Sequence, residues 1–181
     1  MAHFSTPLAP HHRRQALLND RAIEIHSSKT ADTRTCDVSK VSRAQLYESS
    51  AQHIEDVRRG LAFWEKKLQE AAERHDYDKL TDIAGFHADF VTKFEQQGWW
   101  TRHRKLNRHH LLQDDGVPLD VNLVDVLDFI TDCVMAGMGR SGSVYALDIK
   151  PEVLMAAFQN SVELLKSRVA VVPAPEDTTN E

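Results

Sequence analysis

The chemistry this chain can carry is concentrated in histidines and aspartates between residues 53 and 132. Ten histidines occur in 181 residues: His3, His11, His12, His26, His53, His75, His87, His103, His109 and His110. The six from His53 onward lie where the sequence takes on helical periodicity. His75-Asp76 is the sharpest local feature. An adjacent imidazole and carboxylate can both face one divalent cation if another His and Asp arrive from elsewhere in the fold. The same pair, closing the charged run 70–74, also reads as a solvated helix terminus. His53 lies one position off an apolar stripe and 22 residues before His75, about 33 Å along a straight helix. A shared ion therefore requires a chain reversal between them, for which Gly60 or residues 65–67 are the candidates.

In the segment 99–110, WWTRHRKLNRHH, residues His103, Asn107 and His110 follow i, i+4 and i+7 spacing, which predicts one helical face, with His109 pointing elsewhere. Arg102, Arg104, Lys105 and Arg108 make this stretch basic. It reads either as a cationic surface helix or as a helix that binds an anion. Asp125, Asp128 and Asp132 share a face opposite Leu123, Leu127, Ile130 and Val134. Such a stripe is the wet side of a helix unless it borders an internal site.

These residues must be positioned by helices. From Arg43, with Ser42 as a candidate N-cap, apolar residues recur at Leu46, Ile54, Val57, Leu61, Trp64 and Leu68. A second periodic stretch runs from Leu80 to Phe94 and stops at Gly98. A third starts near Trp99 and ends before the turn cluster 114–118. A fourth spans 121–138, and Pro151 suits the first turn of a last helix bearing Val153, Leu154, Ala157, Phe158, Val162 and Leu165. Only residues 143–147 alternate as a strand would. The expected fold is all-α: a single-domain bundle of about five helices over residues 43–170. An extended or disordered arm, 1–42, precedes it, and a Pro-rich acidic tail, 171–181, follows.

Composition narrows the function classes. With 41% hydrophobic and 27% charged residues, the chain is globular. The balance of 22 Lys+Arg against 27 Asp+Glu gives −5, which argues against binding nucleic acid through a general positive field. Cys36 and Cys133 are too few and too far apart for a disulfide framework. No apolar run is long enough to span a membrane, and the N-terminal residues lack the apolar region of a signal peptide. A cytoplasmic location is the expectation.

Taken in order, HIEDV at 53–57, RHDYDK at 74–79, H-x3-N-R-H-H at 103–110, VNLVDVLDFITD at 121–132 and FQNSV at 158–162 resemble an HD-like family of bacterial and phage proteins (DUF5662). The resemblance covers residues 50–165. It implies an HD-domain-like helical fold, with a divalent metal (Mn, Fe, Mg, Zn or Ni) held by His53, His75, Asp76 and Asp132. Such sites activate a water for phosphate ester hydrolysis. By the same resemblance Lys79 matches the family's lysine and His103, His109 and His110 its extra histidines; the candidate catalytic groups are Asp76, Lys79, His103 and His110, and the candidates for binding substrate are Asn107, Arg108, His109 and Arg140. Asp78 replaces the family's usual Ser, Cys133 its Trp, and Asp128-Phe129 its Glu-Met. The expected activity is a metal-dependent phosphohydrolase acting on a nucleotide or other small phosphate ester. The alternative is a non-catalytic factor that binds a host protein or nucleotide through the same pocket.

Overall fold

The computed structural model describes residues 23–28, 36–95, 98–113, 115–144 and 146–173. Most of them are helical, as expected. The helices are α1 (Arg43–Arg74), α2 (Tyr77–Thr81), α3 (Ile83–Val91), α4 (Gly98–Leu106), α5 (Leu123–Ser141) and α6 (Pro151–Lys166), with α1, α2 and α3 following one another closely in the chain. A short 3-10 helix (Val38–Lys40) and two short strands, β1 (Ile23–His26) and β2 (Val169–Val172), are the other regular elements among the described residues.

Three expectations change. First, residues 23–26, assigned to an extended arm, form β1, which pairs in parallel with β2 from Ile23↔Val169 to His26↔Val172. The alternation of half-buried Ile23 and Ile25 with exposed Glu24 is the period of a strand with one covered face. The rest of the arm up to residue 22 and the tail from 174 lie outside the described residues. Second, residues 143, 144, 146 and 147 join no strand. Third, the single domain over 43–170 divides. Among the described residues, those up to Gly60 together with those from Leu165 make one unit and those from Leu61 to Leu164 the other, the division falling within α1.

In the first unit, Gln52 Nε2 donates to the His26 carbonyl, tying β1 to α1. Helix α1 runs unbroken for 32 residues. Gly60 does not interrupt it, and neither do residues 65–67. Its apolar stripe keeps the predicted spacing, yet Ile54, Val57, Leu61 and Leu68 remain exposed and Ser49 is its buried residue.

The second unit has a core of Leu111, Val121, Val126, Phe129 and Ala157, with Cys133, Ile149 and Val153 packed against it. This core sets α5 against α6 and pins the loop 107–122 beneath them. Helix α5, expected over 121–138, runs from Leu123 to Ser141. Asn122 Oδ1 accepts from the Val124 N–H and Asp125 Oδ2 from the Asn122 N–H, each at 2.9 Å, forming a capping box. It ends at Gly142, whose φ of 72° suits a residue without Cβ. Replacing Asn122 with Ala should cost about 1 kcal/mol, read as a lower denaturation midpoint with an unchanged slope. An unaltered midpoint would mean that the cap does not hold α5.

The expected helix from Leu80 to Phe94 is divided by Asp82. Its side chain accepts from the Gly85 N–H and begins α3 as an N-cap. No helix among the described residues is long and apolar enough to cross a membrane.

Candidate metal centre

The end of α1 creates the site. His75 keeps the helical bond of its N–H to the Ala71 carbonyl, and Asp76 then enters the left-handed region at φ 54°. Asp is among the few residues that tolerate this conformation. Asn107 holds it there, its Oδ1 accepting from the Asp76 N–H at 3.0 Å. The reversal turns the His75 and Asp76 side chains toward residues 103–110 and one face of α5.

Four imidazoles and two carboxylates meet there. Asp76 Oδ1 lies 3.3 Å from His103 Nε2 and 3.6 Å from His109 Nε2, and Asp76 Oδ2 is 3.6 Å from His75 Nε2. Asp132 faces the group from α5, with Oδ1 3.8 Å from His75 Nε2 and Oδ2 4.0 Å from His109 Nε2. The His75 and His109 rings stack, with centroids 4.4 Å apart. His103 and His109 are 0% and 1% exposed. Trp99 and Trp100 both stack on His103 and shield it from water.

Carboxylates behind the rings fix which nitrogen faces inward. Asp128 spans two of them, with Oδ1 2.8 Å from His75 Nδ1 and Oδ2 3.4 Å from His109 Nδ1. Asp78 does the same for His103, with Oδ2 2.8 Å from Nδ1, and also accepts from Asn107 Nδ2 at 2.9 Å. An imidazole that donates from Nδ1 keeps a lone pair on Nε2, the arrangement found behind metal-bound histidines. The inward atoms lack hydrogen-bond partners: Asp76 Oδ1, His103 Nε2, His109 Nε2 and His110 Nε2 are buried and unsatisfied. The 3.3 Å contact of Asp76 with His103 is close but not aligned as a hydrogen bond. Leaving one such group unpaired costs about 1–3 kcal/mol, and these four lie in one cluster whose His and Asp atoms could hold a metal ion.

The electrostatics agree with that donor set. Burial pushes the Asp76 carboxyl up, but the Lys79 ammonium on its Oδ2 and then His75 and His109 outweigh it and leave it below the usual range. Asp128 is likewise raised by burial and lowered further by His109 and His75. Burial holds His103 below the ordinary imidazole value despite Asp78. His110 is pushed down to about 3, by burial first and then by His109 and His103. Neutral imidazoles beside ionised carboxylates are the forms that ligate metals. His75, Asp76 and His109 place one ligand atom each within 4.8 Å of one another and could hold a divalent ion, with Asp132 beside them.

The structure thus brings together His75, Asp76, Lys79, His103, Asn107, His109, His110 and Asp132. It does not bring in His53, which is exposed and lies on unbroken α1, without the reversal its assignment requires. The single face of His103, Asn107 and His110 is also corrected. Helix α4 stops at Leu106, and the turn after it swings His109, expected to point away, onto His75. Asn107 positions backbone and Asp78. Arg108 clamps the loop, with Nε and Nη2 each 2.8 Å from Asp125 and Nη1 2.9 Å from Asp120, so most of its donors are taken. Arg140 is exposed in the last turn of α5, two turns beyond Asp132. Asp78 and Asp128 were missed as positioning groups. Their signals were the departure from Ser at 78 and the acidic stripe on α5.

Gly116 supports His110 from the loop. A Cβ there would stand 2.5 Å from the His110 carbonyl oxygen. Asp128→Asn should lower metal affinity 10- to 100-fold with little loss of fold, measured by titration calorimetry. Unchanged affinity would remove Asp128 from the centre.

Comparison with known proteins gives no match to a family model, to a curated protein or to a solved structure.

Proposed function

We propose that the protein is a metal-dependent phosphohydrolase acting on a nucleotide or another small phosphate ester, with an HD-like use of the His75-Asp76 pair. The observation that carries the reading is the convergence of unpartnered, buried Nε2 atoms on an Asp76 oxygen. His75, Asp76 and His109, with Asp132, would hold a divalent cation such as Mn, Fe, Zn or Ni, to which imidazole–carboxylate sets are suited. Such a cation lowers the pKa of water and stabilises charge on phosphate.

The chain's own groups supply the rest. Beside His75 and His109 opens a cavity of about 320 Å³, lined among others by Arg74, Tyr77, Asn107 and Asn122. That volume is at the small end of ligand sites. Lys79, already within the cluster on Asp76, would meet negative charge on the ester. Asp128 and Asp78 keep the imidazoles in one tautomer through the cycle.

The test is phosphate release from a panel of nucleoside mono-, di- and triphosphates and simple aryl phosphates, after chelation and after reloading with Mn²⁺ or Zn²⁺. Turnover that disappears with chelator and returns with metal is expected. Tight metal binding without turnover on any ester would replace the enzyme with a binding protein, and absence of metal binding would overturn the reading altogether.

A further inference from the structure

We infer that the groove between α1 and α5 holds the apolar alcohol portion of the ester, so that the substrates are phosphate monoesters of alkyl or aryl alcohols. The inference rests on the phosphohydrolase reading and adds to it the part of the substrate that lies beyond the phosphate.

Residues at four-residue spacing build the groove from both sides. Leu68, Ala71 and Ala72 come from the last turns of α1, and Leu127, Thr131 and Met135 from α5. The alanines leave the space open, and its volume of about 450 Å³ is that of a small-molecule site. Leu68, Leu127 and Met135 are 40%, 47% and 68% exposed, apolar surface that an apolar ligand would remove from water. The groove ends at the candidate metal centre, where His75, Asp128 and Asp132 complete its lining. His103 and His109 are closed to solvent, whereas the side chains of His75 and Asp132 are 28% and 33% exposed. A chain lying against Leu127 and Met135 therefore brings its phosphate end to the open edge of the donor set.

The lining decides the chemistry of the ligand. No lysine, arginine or amide side chain is among the lining residues, and the Thr131 hydroxyl donates to the Leu127 carbonyl of its own helix at 2.7 Å. A ribose or a base edge would lose its water here without gaining a donor, and a second phosphate would face Asp128 and Asp132. An alkyl chain or a phenyl ring needs no such partner, and Met135, unbranched and flexible, can fit either. The cavity of about 320 Å³ beside His75 and His109 differs on both counts: Lys67, Arg74 and Arg108 line it, and Asp132 does not. Hydrolysis at the groove would add water across the bond between phosphorus and the alcohol oxygen, giving inorganic phosphate and the protonated alcohol.

The experiment takes the full chain loaded with Mn²⁺ and titrates it by calorimetry with the non-hydrolysable methyl-, butyl- and hexylphosphonates and with adenosine 5′-monophosphate. Phosphate release is followed from the matching alkyl phosphates. Affinity should rise about three- to fourfold per methylene, with hexylphosphonate binding more tightly than the nucleotide. Leu127→Gln and Met135→Gln, both at exposed positions, should flatten this dependence and leave the affinity for methylphosphonate and for Mn²⁺ unchanged. Affinity independent of chain length, with phosphate release intact, would overturn the groove and leave the phosphohydrolase. A chain-length dependence that neither variant alters would place the alcohol elsewhere and overturn it too, and a dimer that Leu127→Gln dissociates would give the groove to a second copy. Chain-length-dependent binding without phosphate release from any ester would overturn the phosphohydrolase and keep only an apolar binding site.

Discussion

Asp76→Asn should abolish tight metal binding and lower any metal-dependent phosphate release by at least 10²-fold, while the chain remains folded. The substitution isolates the carboxylate charge. Asn tolerates the left-handed conformation as readily as Asp, so the backbone at φ 54° is kept. The N–H that bonds Asn107 is also kept. What disappears is the negative charge among His75, His103 and His109, and with it the electrostatic attraction for a divalent ion. Elemental analysis of the purified variant and a thermal melt check both halves of the statement. Wild-type metal content would exclude Asp76 as a ligand. A collapsed melt would show that its pairing with Lys79 serves stability first.

The second large effect is acid sensitivity of the metal-free protein. His110 is held at about 3 in the folded chain, by burial and then by its neighbours His109 and His103, against an ordinary 6.5. Between those values the unfolded chain carries a proton that the folded one does not, so acid favours unfolding. Stability should fall by about 1.4 kcal/mol per pH unit from this group as pH drops below 6.5. His103, lowered by burial, acts in the same direction. Asp76 and Asp128, whose carboxyls sit below 3.8, add stability that is lost only in stronger acid. Denaturant titrations in chelator from pH 7 to 4 should show this slope, and His110→Asn should flatten it by one proton. A stability independent of pH across that range would contradict a neutral, buried His110.

The parts of this architecture that could be read from sequence were those fixed by neighbours in the chain. Helix α5 was legible through its regular apolar stripe of Leu123, Leu127, Ile130 and Val134, while its caps at Asn122 and Gly142 set bounds that differ by two to three residues from those expected. The end of α4 was not. Nothing in the stretch from His103 to His110 breaks a helix, and the break after Leu106 accompanies bonds from Asn107 to Asp76 and Asp78, 31 and 29 residues upstream. The inward turn of His109 is therefore a tertiary effect. His53 fails for the opposite reason: a glycine within an exposed helix costs only about 1 kcal/mol, and Gly60 does not interrupt α1. The pairing of residues 23–26 with 169–172 was hidden because each segment is four residues long and its partner lies at the far end of the sequence.

That pairing bears on the order in which the chain folds. A parallel two-stranded ribbon is marginal by itself, and this one closes a loop of well over a hundred residues, so the closure entropy weighs against early formation. Residues 61–164 are continuous in sequence and can collapse without the chain ends. The histidine cluster would then assemble in the fast phase of refolding, and docking of the two termini would set a separate, slower one. In amide exchange, β1 and β2 would open first, their protons leaving while those of α5 are still held.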